Sequence, residues 1–142
     1  MIFLVICQVL PFIHDVVLFH IKKNNIMKNL NEFMLLFRLE PSNEKTTPEQ
    51  LTEMHEHWGK FIGGIASQAK LVSTTRLGFE GNLIDDELRV NKGIAMSENK
   101  TLSGNMVLKA SSLEEATDMA KGCPILKMGG TVEVRSVLPM ES

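Results

Sequence analysis

A chain of 142 residues, 44% hydrophobic and 23% charged, has the size and balance of a single ordinary globular core. Its formal net charge of −2 comes without any run of like charge. That excludes the concentrated Lys and Arg that binding to nucleic acid or an anionic membrane surface rewards.

The two cysteines, Cys7 and Cys123, are widely separated. They are too few for a disulfide framework, and no paired Cys/His spacing supplies three or four metal ligands. A reducing cytoplasm is the expected setting, with no metal or cofactor. No glycine-rich phosphate loop follows a strand, so nucleotide binding is not expected.

Residues Met1 to Ile26 differ from the rest. They are dense in large apolar side chains, and Lys22 and Lys23 come after the apolar stretch rather than before it. That order and the lack of a small-residue cleavage site argue against a secretory signal. Gln8, Pro11, His14, Asp15 and His20 interrupt the about 20 apolar residues that a membrane span needs. Residues 1–26 are therefore expected to be an extension, not necessarily native, ahead of a domain over 27–142.

Within that domain, Phe33 to Leu39 predicts a first strand. Phe33, Leu35, Phe37 and Leu39 point one way; Met34, Leu36 and Arg38 point the other. A strand apolar on both faces is expected to be covered on both. Thr47-Pro48-Glu49-Gln50 predicts a helix start, with Thr47 as cap, Pro48 at the first helical position and Gln50 completing a capping box. Leu51, Met54, Trp58, Phe61, Ile62, Ile65 and Ala69 follow at steps of three and four, a single buried stripe. Gly59 and Gly63 flank it and suit close backbone packing.

Leu71 to Thr75 predicts a second strand, Gly78 to Asp86 a loose loop, and Leu88 to Ile94 a segment that pairs locally. Asn105 to Ala110 predicts a third main strand, with Met106, Leu108 and Ala110 opposed to Asn105, Val107 and Lys109. Ser111 or Ser112 caps a second helix, answered by Glu114 or Glu115, and Gly122 stops it. Gly129-Gly130 turns the chain into a last strand, Thr131 to Leu138.

The pattern is βαββαβ: an α+β, ferredoxin-like sandwich, an antiparallel sheet with two helices on one face. Because the first strand is apolar on both faces, the uncovered sheet face is expected to meet a second subunit, the alternative being an extra helix from residues 1–26 laid over it.

The segments FMLLFR, WGKFIGGIASQAKLV, SLEEATDMAKGCPIL and GGTVEVR closely resemble the YCII-related, or DGPF-domain, family across Met27 to Met140. The resemblance implies a dimeric α+β barrel and a small cytoplasmic protein that binds or transforms a small molecule. The family's Asp-Gly-Pro-Phe segment falls at Lys92 to Ser97, where Gly93 alone matches. Lys92 replaces the acid, so that loop's carboxylate chemistry does not carry over.

His55 and His57 are the histidines of the domain; His55, bordering the apolar stripe, is the better candidate for a catalytic base, against the ordinary reading of a half-exposed helix histidine. Arg38, Glu133 and Arg135 form the stronger set. First and last strands are neighbours in this arrangement, so the three side chains are expected to meet, either as a fork for a carboxylate or phosphate or as a structural ion pair. Asn105 adds a polar contact on the third strand. Trp58 is read as core and Cys123 as an inert thiol. Two functions follow: a homodimer that binds a small acidic or polar aromatic molecule, or a cofactor-free lyase or isomerase with His55 as base.

Overall fold

The structure, a computed structural model, describes residues 29–42 and 44–140. The expectations for Met1 to Ile26 lie outside the described residues.

Strand β1 (Asn31–Leu39) sits inside a four-stranded antiparallel sheet of order β2-β5-β1-β6, with β2 (Leu71–Arg76), β5 (Thr101–Ala110) and β6 (Thr131–Ser136). Helix α1 (Pro48–Ser67) connects β1 to β2, and α2 (Leu113–Ala120) follows β5. With β5 inserted between β1 and β2, this is an α+β fold compatible with the ferredoxin-like arrangement.

The alternation expected for β1 is present. Phe33, Leu35 and Phe37 are buried, while Met34, Leu36 and Arg38 are half-buried on the opposite face. Met106, Leu108 and Ala110 of β5 join the buried set, and Ile65 of α1 and Ala116 and Ala120 of α2 close over it. Both helices thus lie on one side of the sheet. Trp58 packs against this core, its ring edge-on to Phe37 at 5.5 Å and to Phe61 at 6.0 Å.

The helix starts form as the sequence chemistry dictates. Thr47 Oγ1 accepts from the Gln50 N–H, and the Thr47 N–H donates to Gln50 Oε1, which closes the capping box. Ser112 Oγ accepts from the Glu115 N–H at the start of α2. Glu115 also accepts from Lys70 at 2.5 Å and from Ser111. Those bonds, Lys70's foremost, hold its carboxyl down at about 2, so it is ionised at neutral pH and ties α2 to the entry of β2.

Six features depart from expectation. The α1 stripe is not buried end to end: Leu51 is exposed in the first turn, and Ala69 lies past the helix, exposed, with φ 57°. Gly59 and Gly63 are exposed, with no neighbour that a Cβ would meet, so they serve no close packing among the described residues.

The loop expected over Gly78–Asp86 instead contains β3 (Asn82–Ile84), paired with β4 (Val90–Lys92) as a hairpin. Asp85 Oδ1 accepts from the N–H groups of Glu87 and Arg89 and so builds the turn. Strand β5 begins at Thr101, four residues before the expected start, and β6 ends at Ser136 rather than Leu138. Finally, a 3-10 turn over Pro124–Met128 carries buried Ile125 under the sheet and ends at Gly129 in the left-handed region, φ 83°.

Candidate functional site

Residues paired across a sheet share a face. Met34 pairs with Val107 and Arg135, Leu36 with Asn105 and Glu133, and Arg38 with Leu102 and Thr131. The face away from the helices therefore has an apolar centre of Met34, Leu36, Val107 and Leu102, with charge along its β6 side.

That charge is organised around one carboxylate. Arg38 Nη1 donates to Glu133 Oε1 at 2.7 Å, and Arg135 Nε lies 4.0 Å from Glu133 Oε2. Two guanidinium groups share a single carboxylate, so the cluster keeps one positive charge uncompensated. The side chains of Arg38, Glu133 and Arg135 are 35%, 44% and 68% exposed. Pairs this wet contribute about 0–1 kcal/mol, so an incoming anion can replace Glu133 at little cost. Asn105 is half-buried on the same face but on the far side of Leu36. At two strand spacings of about 4.8 Å, its Cα lies about 10 Å from that of Glu133. The sheet thus brings Arg38, Glu133 and Arg135 together and leaves Asn105 as a separate polar contact.

The histidines belong elsewhere. His55 and His57 are exposed on α1, in the layer on the other side of the sheet. His57 Nε2 lies 3.6 Å from Glu53 Oε1, one helical turn away. His55 is not brought to the arginine cluster, and neither histidine faces it. Cys123 is buried, and desolvation pushes its thiol up to about 11, which matches an inert thiol.

A second feature was not legible in the sequence. A cleft of about 310 Å³ opens between the segment after β2, the β3–β4 hairpin and the start of β5. Its apolar wall is Leu77, Leu83, Ile94, Ala95 and Leu102; Glu80, Asn82 and Thr101 add polar groups. Its floor is firm. Thr101 is buried and its hydroxyl donates to the Ala95 carbonyl at 2.8 Å.

Gly93, at φ 129°, donates its N–H to the Gly81 carbonyl and turns the chain from β4 towards Ile94 and Ala95. That backbone angle favours glycine, which explains why Gly93 stands in this segment. A tight turn then follows: Ser97 and Lys100 exchange both backbone hydrogen bonds around Glu98 and Asn99, each at positive φ.

Among the described residues no group of three or more His, Cys, Asp and Glu side chains is placed to hold a metal ion. Among them, too, no helix is long and apolar enough to cross a membrane. No protein-family model matches the chain, and no curated protein matches it.

Proposed function

We propose that this chain is a YCII-like cytoplasmic protein whose open sheet faces pair in a homodimer of the α+β barrel type, enclosing a cavity that binds a small acidic molecule. The observation that supports this reading is the sharing of Glu133 by Arg38 and Arg135 beside an apolar sheet centre. A guanidinium fork offers parallel N–H donors to a carboxylate or phosphate, and removal from bulk water strengthens each such bond. A second copy laid on Met34, Leu36 and Val107 would supply that exclusion of water. Arg38 and Arg135 grip the acid, Glu133 holds both guanidiniums in place before it arrives, and Asn105 orients its remainder.

The alternative is a cofactor-free lyase or isomerase with His55 as base. Such a base needs to reach the bound molecule. With His55 exposed on the helix layer and the guanidinium pair on the open sheet face, the geometry favours binding over turnover.

The experiment is a thermal-shift titration of the full chain with acetate and inorganic phosphate. A ligand at 100 times its dissociation constant should stabilise the fold by about 2.7 kcal/mol. Arg135→Ala should weaken binding at least tenfold, as expected when a bond to a charged group worth about 1.5–3 kcal/mol is lost. A shift that survives both Arg38→Ala and Arg135→Ala would place any anion elsewhere and end this reading.

A further inference from the structure

The cleft and the arginine cluster adjoin at Leu102. Leu102 lines the cleft and is also the cross-strand partner of Arg38. Paired positions on one face have Cβ atoms about 4.5–5.5 Å apart, so Leu102, at the register shift between Phe37 and Arg38, sets the cleft's wall about one strand spacing from the Arg38 backbone.

We infer that the two form one composite site for an amphipathic monocarboxylic acid, its carboxylate at Arg38 and its apolar body in the cleft behind Leu102. This inference rests on the anion-binding reading above and extends it to the class of ligand.

Three observations carry it. The volume of about 310 Å³ stands at the lower end of the range for small-molecule sites, enough for one ring or a short branched chain rather than a nucleotide. Leu77, Leu83, Ile94 and Leu102 offer such a body an apolar surface on several sides, so desolvation favours an aryl or alkyl group over a polar one. Charge then sets the polarity of the ligand. The cleft contains a carboxylate of its own, Glu80, whereas the positive excess lies at Arg38 and Arg135. A ligand with an acid at one end is drawn in; a second acid at its other end would face Glu80 and be repelled.

The test is a chemical-shift titration of the ¹⁵N-labelled full chain with acetate and with phenylacetate. Phenylacetate is expected to bind at least tenfold more tightly, with shifts at the amides of Ala95 and Leu102 that acetate does not produce. Ala95→Phe fills the cleft from an exposed position, and Leu83→Asn makes its wall polar at a site that is 44% exposed. Both should lower phenylacetate affinity to the acetate value and leave acetate unchanged. Arg38→Ala should weaken both acids. Equal affinity for the two acids, or a preference untouched by both cleft variants, would overturn the composite site. If acetate binds through Arg38 with no preference for phenylacetate, this inference fails and the anion-binding reading stands. If neither acid binds, both fall.

Discussion

Leu35→Ala should cost about 3–4 kcal/mol and lower the melting temperature by about 15 °C or more. Leu35 is fully buried at the centre of the sheet, between Met106 on β5 and Val134 on β6. Removing three carbons loses their transfer free energy and leaves a cavity. The sheet on both sides is fixed by continuous backbone pairing, so the walls cannot collapse to fill it. Against a total stability of about 5–15 kcal/mol, the loss is large. Chemical denaturation would show a lower midpoint with an unchanged slope. A change below about 1 kcal/mol would mean that the inner face of β1 is not packed as described.

Gly130→Ala should be nearly as damaging, about 3 kcal/mol, for a different reason. A Cβ at position 130 would stand 2.6 Å from the Arg38 carbonyl oxygen, 2.7 Å from Ile125 Cγ1 and 3.0 Å from the Ile125 carbonyl oxygen. No real Cβ tolerates such approaches. The Gly130 N–H donates to that same Ile125 carbonyl at 2.9 Å, so relief requires breaking this bond or prising β6 from β1. Overpacking of this kind costs about 1–3 kcal/mol, and a lost hydrogen bond adds to it. Because the clash falls on the Arg38 backbone, anion affinity should fall along with stability. Gly78→Ala is the matched control: its Cβ meets nothing within 4 Å, its φ is not positive, and its stability should change little.

What the sequence revealed follows from what periodicity and capping can encode. Alternation over Phe33–Leu39 identifies both the strand and its two faces, because each face meets a different environment. Thr47 and Gln50 announce a helix through a reciprocal pair of hydrogen bonds that local chemistry alone specifies. Arg38 and Glu133 were legible as neighbours because the βαββαβ pattern makes first and last strands adjacent.

The hairpin was legible only in part: local pairing was expected over Leu88–Ile94, which holds β4, but its partner β3 fell in the segment read as a loop. Its strands are three residues each and exposed throughout, so no burial pattern marks them; the Asp85 carboxylate and the Gly93–Gly81 bond define it instead. The early start of β5 was missed for a related reason. Thr101 and Gly104 are buried but not strongly apolar, so the first half of the strand lacks a hydrophobic signature. The cleft needed both of those elements, along with the segment after β2, and sequence gives no signal for walls drawn from four places in the chain.

Sedimentation equilibrium of the full chain tests most directly whether two sheet faces, uncovered among the described residues, close over the arginine cluster. The predicted result is a species of twice the 15.9 kDa chain mass, which Leu36→Lys dissociates by placing a charge at the centre of the apolar face. A wild-type chain that sediments at 15.9 kDa at every concentration tested would contradict it.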